Sequence, residues 1–297
     1  MLVVIPTRNR FKELTNTLNF LESNKFFFRQ IVIIDSSAPE IKERIKKKVK
    51  DYTSYIKVID SEPSTCLQRN IGFKFLKNDE YIMFLDDDNI FFSDALLKMQ
   101  IFLKNNNNFS GVAFNQIYNA RKKNILDKLK NNYVFNKLSI YSSEIGGFSN
   151  SGWQSKFVNF AEDKIVQWLP TRAVIYKSNK INNVRFDTKL GIYGYLEDLD
   201  FSLKLKKRGN LMVCSDAKYT HDQFITRPGY QFGKKEVRNR YYIVKKHKLN
   251  KILFFLTLSF RMVLTIKEGI FGNYNSFKRL AGNLVAVFSI NNLENNY

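Results

Sequence analysis

A chain of 297 residues, 44% hydrophobic and 15% aromatic, has ample material for a packed core, as one large α/β domain with an appendage or as two small domains. Its only two cysteines, Cys66 and Cys214, are far apart in sequence, which argues for free thiols in a reducing compartment and against a disulfide framework. The formal charge of +21 exceeds what solvated lysine- and asparagine-rich stretches such as 105–108 and 121–123 account for, so it calls for an anionic partner.

The chain opens on a short apolar run, Leu2-Val3-Val4-Ile5, which predicts a strand closed by Pro6, with no basic and apolar leader ahead of it. A helix is expected over about 10–24, with Phe11, Leu14, Leu18 and Leu21 on one face. Ile31-Val32-Ile33-Ile34 is a buried-strand run that ends in Asp35. A basic helix over 41–52, a strand over 55–60 and a helix over 66–76 come next. Residues 81–85, Tyr81-Ile82-Met83-Phe84-Leu85, are β-prone and uncharged, the pattern of a parallel strand buried on both faces. They deliver three consecutive acids, Asp86, Asp87 and Asp88. A helix over 94–103 and a strand over 111–118 continue an alternation that implies parallel strands joined by crossover helices.

The glycine- and serine-rich stretch 146–153 predicts a long mobile loop able to close over a ligand. A strand over 168–176, a helix over 196–208 stopped by Gly209, and a strand over 211–214 lead to His221. Residues 234–251 then carry eight Lys or Arg against the single acid Glu236 and run into an apolar segment, 252–266, interrupted by Arg261. That segment is short of the roughly 20 apolar residues a spanning helix needs. It suits a helix lying on an anionic leaflet, with an ordinary core helix as the alternative.

Ligands of open α/β sheets bind beyond the carboxyl ends of strands, where Asp86, Asp87 and Asp88 emerge. Acids crowded there repel one another, and a divalent cation bridging them to a phosphate-bearing ligand would resolve the conflict. The other reading is an acidic turn ahead of a helix. Pro6, Thr7 and Arg8 come after the first strand, and Thr7 and Arg8 are candidates to touch a base or phosphate. Asp35 is placed to accept from a base or ribose, or to cap a turn. Arg69 offsets the acids or binds a diphosphate, unless it makes a surface salt bridge. Glu197 and Asp198 start a helix and point about 100° apart, so one suits a working base and the other a structural or hydroxyl-binding group, unless the pair only complements the helix dipole. His221 completes a cation site, touches a phosphate, or is structural.

The ordered segments Val-Ile-Pro-Thr-Arg-Asn (4–9), Ile-Ile-Asp-Ser-Ser (33–37), Arg-Asn-Ile-Gly (69–72), Phe-Leu-Asp-Asp-Asp-Asn (84–89), Leu-Glu-Asp-Leu-Asp-Phe (196–201), Arg-Gly (208–209) and His221 together resemble a family 2 glycosyltransferase of the GT-A fold. The resemblance spans about residues 1–225. It implies a Rossmann-like α/β fold with a mostly parallel sheet, divided into a nucleotide-sugar-binding half (1–110), an acceptor-binding half (111–230) and a basic amphipathic helical region (231–297). It further implies inverting transfer from a nucleotide-diphosphate sugar to a glycan or lipid-linked acceptor in surface polysaccharide synthesis, at the cytoplasmic face of a membrane. By position, Pro6, Thr7, Arg8, Asp35, Arg69, Asp86 and Asp87 would hold the nucleotide sugar. Asp88, Asp86 and His221 would hold Mn2+ or Mg2+, with Asp88 the first ligand. Asp198 would be the general base, with Glu197 beside it. Thr171 and Arg172 stand where relatives carry small residues on the acceptor side.

Two other classes compete. A sugar-phosphate nucleotidyltransferase would need a glycine-rich basic loop after the first strand, which Pro6-Thr7-Arg8-Asn9 does not supply. A basic nucleic-acid-binding protein would explain the charge, but acids at three strand ends oppose a phosphate backbone, so no nucleic acid is expected as a partner.

Overall fold

The computed structural model describes residues 1–52, 55–118, 141–221 and 229–290; the basic stretch at 121–123 lies outside them. The chain forms two compact units, one of 1–119 with 157–223 and one of 120–156 with 224–297. The segment 120–156 thus groups with the C-terminal helices and not with the rest of 111–230.

The first unit alternates as expected: β1 (Leu2–Thr7), α1 (Phe11–Ser23), β2 (Gln30–Asp35), α2 (Pro39–Val49), β3 (Ile56–Asp60), α3 (Thr65–Gly72), β4 (Tyr81–Leu85), β5 (Ile90–Phe91), α4 (Ala95–Asn105) and β6 (Phe109–Gln116). After the segment assigned to the other unit come β7 (Lys164–Val166), β8 (Ala173–Lys177), α5 (Glu197–Leu205) and β9 (Asn210–Thr220). One sheet holds all nine strands in the order β3-β2-β1-β4-β8-β6-β9-β5, with β7 on β9. It is parallel from β3 through β4; β8 then enters antiparallel between β4 and β6, and β6 pairs parallel with β9. The expected mostly parallel sheet is therefore parallel in its first half and mixed beyond it. That reversal has a consequence for the site, because the start of β8 meets the end of β4: the Asp86 amide donates to the Arg172 carbonyl at 2.8 Å.

The apolar runs of β1, β2 and β4 are buried on both faces, and Leu14, Leu18 and Leu21 of α1 pack on them. Pro6 does not end its strand. Pairing with β4 stops at Val4, but pairing with β2 continues through Pro6 to Thr7 opposite Asp35. A proline lacks one donor only, so the side of the strand facing β2 is unaffected. Helix α3 sits close to β1 because Gly72 faces it; a Cβ there would overlap the Val4 side chain.

The second unit contains α6 (Gly229–Lys246), α7 (Lys251–Ile270) and α8 (Tyr274–Phe288). Its core gathers Tyr141, Trp153, Val237, Tyr241, Val244, Phe254 and Leu258. The stretch 146–153 is packed there and is not a free loop. Trp153 stacks on Phe254 with centroids 5.6 Å apart, Arg240 lies over the Trp153 ring and donates to the Gly152 carbonyl, and the Asn250 amide donates to the Asn150 carbonyl. Its serines signal solvent in the sequence, but Ser149 and Ser151 are buried and bond each other at 2.7 Å. Among the described residues no helix is long and apolar enough to cross a membrane.

Candidate active site

The carboxyl ends of β1, β2, β4 and β9 open on the same edge of the sheet, and the side chains singled out from the sequence collect there. Asp87 and Asp88 leave the end of β4 and are both buried. Thr7, at the end of β1, donates through Oγ1 to Asp87 Oδ2 at 2.5 Å, so its hydroxyl is committed to an acid. Gln68 on α3 fixes the neighbouring strand ends by donating to the carbonyls of Thr7 (3.0 Å) and Ile34 (2.7 Å). Asp35 is fully buried; its Oδ1 accepts from the Ser37 amide at 2.8 Å, while Oδ2 has no hydrogen-bond partner. A buried acceptor left open costs on the order of 1–3 kcal/mol, which a ligand donor would recover. Arg8 is exposed.

The guanidinium that does reach the acids is Arg10, two residues further along. Asn9 takes a left-handed backbone (φ 58°) that swings the chain back, and Arg10 Nη1 then donates to Asp87 Oδ1 at 3.1 Å and to Asp88 Oδ2. On the other side of Asp88, His221 Nε2 lies 2.9 Å from Oδ1. Burial disfavours charge on Arg10, but Asp87 and Asp88 outweigh it and raise its pKa. Burial likewise works against ionisation of Asp88, yet His221 and Arg10 hold its pKa below the usual carboxylate range. Asp87 moves the other way, pushed up to about 7 by burial and by the charges of Asp88 and Asp86. Asp86, Asp88 and His221 offer ligand atoms that all lie within 4.8 Å of one another. Two carboxylates and one imidazole, in a cluster where acids outnumber arginines, are a donor set that suits a divalent cation such as Mn2+.

A second arginine ties this cluster to the far part of the sequence. Buried Arg69 donates from Nη2 to Asp86 Oδ1 at 3.0 Å and from Nη1 to Glu197 Oε1 at 2.9 Å. Thr171 Oγ1 also approaches Glu197 Oε1, at 3.4 Å. Asp198 is half-buried; its Oδ1 accepts from the Leu199 amide at 2.8 Å, and it lies in the fields of Arg172 and Arg69. Burial raises the pKa of both Glu197 and Asp198 despite those cations. Leu196, immediately ahead of the pair, is held in a left-handed conformation (φ 75°), a strain that aims the first turn of α5 at the cluster.

Arg10 and Arg69 tie together Asp86, Asp87, Asp88 and Glu197, and Thr7 and His221 bond the same aspartates, whereas Pro6 and Asp35 stay at their strand ends without touching either arginine and Arg8 is exposed. Arg10, Gln68 and the role of Thr171 escape sequence reading. For Arg10 the available signal is the Asn9 turn, which inverts the alternation that points Arg8 toward the ligand. A cavity of about 610 Å³ lies elsewhere, at the opening end of β4 beside Asp79, Lys177 and Arg185.

The family model for "Glycosyl transferase family 2" matches residues 2–162. The chain belongs to this family. A curated relative from Rickettsia bellii (strain RML369-C), described as an uncharacterized glycosyltransferase, is 34% identical over 121 residues. That match covers 39% of this chain and only 17% of the relative, so the chain accounts for a small part of its length. Among solved structures, S. aureus TarS 1-349 is similar over 93% of this chain and 73% of its own, at 17% identity and a TM-score of 0.52. TarS 1-349 in complex with UDP-GlcNAc aligns over 85% of this chain and 70% of its own, at 18% identity and a TM-score of 0.53. GalNAc-T7 with UDP, GalNAc and Mn2+ aligns over 86% of this chain and 56% of its own, at 14% identity and a TM-score of 0.57. At such identities these likenesses establish a shared GT-A fold.

Proposed function

We propose that this family 2 member is a metal-dependent, inverting glycosyltransferase that moves a sugar from a nucleoside-diphosphate sugar to a hydroxyl of a glycan or lipid-linked acceptor. The observation that carries the reading is the Asp86–Arg69–Glu197 bridge, which holds the acids after β4 close to those opening α5 although they are far apart in sequence. The relatives solved with UDP-GlcNAc or with UDP and Mn2+ share this fold and support a nucleotide-sugar donor.

Asp86, Asp88 and His221 would hold the cation, Mn2+ or Mg2+, whose chemistry is to neutralise charge on the departing diphosphate. Asp35, with an open buried oxygen at the end of β2, would accept from the base or ribose. Arg10 and Arg69 supply further positive charge beside the diphosphate. Asp198 takes the proton from the acceptor hydroxyl as that oxygen bonds to the anomeric carbon and the bond to the nucleoside diphosphate breaks on the opposite face. Glu197, with one oxygen claimed by Arg69 and Thr171, positions the turn and leaves the proton transfer to its neighbour. Burial keeps Asp198 a stronger base than an exposed carboxylate while leaving it ionised above its raised pKa.

Calorimetric titration with UDP-, GDP- and dTDP-sugars, with and without Mn2+, tests this. One donor should bind at least tenfold tighter with the cation, and Asp88→Ala should remove that gain. Binding of none of them, or binding indifferent to Mn2+ in both proteins, defeats the proposal.

A further inference from the structure

The second unit presents apolar surface that its own core does not use. Along α7, Ile252, Leu256, Val263 and Ile270 are 73%, 55%, 62% and 69% exposed. At 100° per residue these positions fall within a narrow arc, so they form one stripe down a helix about 30 Å long. On α8, Tyr274, Leu284, Val285 and Phe288 are exposed, again along one side. The two helices touch where Phe277 of α8 lies on Gly269 of α7; a Cβ on Gly269 would sit 2.7 Å from the Phe277 ring. The turn between the helices adds Phe271, 79% exposed. Scattered exposed leucines mean little, but apolar stripes on two consecutive helices that touch each other mark a contact surface.

The charge around the band selects the partner. Residues 229–290 hold twelve Lys or Arg and two acids, Glu236 and Glu268. Glu236 is buried and neutralised inside by Arg279 at 2.8 Å and Arg261 at 3.6 Å, and Glu268 accepts from Ser276. Lys251, Lys267 and Lys278, by contrast, are exposed beside the band. Two copies meeting through this face would oppose like charges, whereas an anionic surface satisfies both the lysines and the apolar stripe. Neither α7 nor α8 is long and apolar enough to span.

We propose that the stripes of α7 and α8 lie flat on an anionic lipid bilayer, their apolar side chains in the headgroup–acyl boundary and Lys251, Lys267 and Lys278 on the lipid phosphates. This surface stands independently of the transfer reaction. It would hold the protein where a lipid-linked acceptor is found.

The full chain is sedimented with vesicles of phosphatidylcholine alone, or of phosphatidylcholine with one third phosphatidylglycerol. The protein should pellet with the second and not with the first. Val263→Glu with Ile270→Glu should lower partitioning at least tenfold at an unchanged melting temperature, since both side chains already face solvent. Lys251→Gln with Lys267→Gln and Lys278→Gln should lower it further at low salt, each lysine near such a surface being worth roughly fivefold. Equal pelleting with both vesicle types, or pelleting untouched by both variants, overturns the proposal. So does a failure to pellet combined with self-association that Val263→Glu abolishes, which would make the band a contact between copies.

Discussion

Both units bury carboxylates against arginines, and they do so with opposite balances. In the first, Asp86, Asp87, Asp88, Glu197 and Asp198 share the cations Arg10, Arg69 and Arg172, with His221 beside Asp88. In the second, the single carboxylate of Glu236 has Arg279, Arg261 and the field of Arg240. Burial alone raises the pKa of any carboxylate, so the outcome depends on what surrounds it. Glu236 ends up lowered, held by Arg261, Arg279 and Arg240 against its burial, whereas Asp87, Glu197 and Asp198 end up raised. A carboxylate with surplus cations is a structural pin. Asp87, Glu197 and Asp198, with too few cations around them, store negative charge that a bound cation or a proton can relieve, while Asp88 is held low by His221 and Arg10.

The largest effect should come from removing the proposed base on the surplus-acid side. Asp198→Asn keeps shape and the Leu199 contact but cannot take a proton, so turnover should fall by about 100- to 10,000-fold while nucleoside-diphosphate affinity stays within about twofold. Product release measured beside calorimetric binding separates the two. Turnover retained in the variant would move the base elsewhere and dissolve the contrast between the units.

Glu236→Gln tests the other side. It leaves the half-buried Arg261 and Arg279 without their counter-charge, and breaking a buried pair costs about 3–5 kcal/mol, an upper bound here because both arginines reach solvent. The lowered pKa sets the sign: the stabilisation is fully present above the unfolded carboxylate value, about 4.3, and is lost as pH falls through the folded value. Denaturant melts should therefore show wild type and variant far apart at neutral pH and converging in acid. A gap that does not depend on pH would mean that packing, and not charge, makes Glu236 matter.

Arg10 sharpens the comparison from inside the acid cluster. It partly cancels Asp87 and Asp88, so Arg10→Ala should tighten Mn2+ binding on the order of tenfold in the absence of donor while lowering the stability of the metal-free protein. Titration calorimetry and a thermal melt read both. Weaker Mn2+ binding would instead make Arg10 the support that keeps the aspartates in ligating positions.

The strand-end acids are legible in the sequence because the burial that makes them useful also writes the apolar run 81–85 in front of them. Asp35 is legible for the same reason, after 31–34. The second half of the sheet is less so. Two-residue β5 and three-residue β7 carry too little pattern to read, and the antiparallel entry of β8 depends on long-range pairing. Arg10 stays hidden because a single left-handed residue, Asn9, turns the backbone just ahead of it. The serine-rich stretch 146–153 misleads because its hydroxyls bond to one another and to the Trp153 backbone, so polar residues there line a packed turn.

The smallest predicted effect concerns Arg172, whose carbonyl anchors Asp86 and whose guanidinium lowers the pKa of Asp198 against burial. Burial raises the pKa of both Glu197 and Asp198, so the acid limb of the turnover profile should lie above the ordinary carboxylate value of about 4. Turnover needs the ionised form and should fall as pH drops through that raised value. Arg172→Gln removes one stabilising cation without touching the carboxylates, which should carry the limb to higher pH. If Arg172 acts on the acceptor instead, the variant would raise KM with the limb unmoved. The pH profile of kcat thus separates a guanidinium that tunes the base from one that holds the substrate.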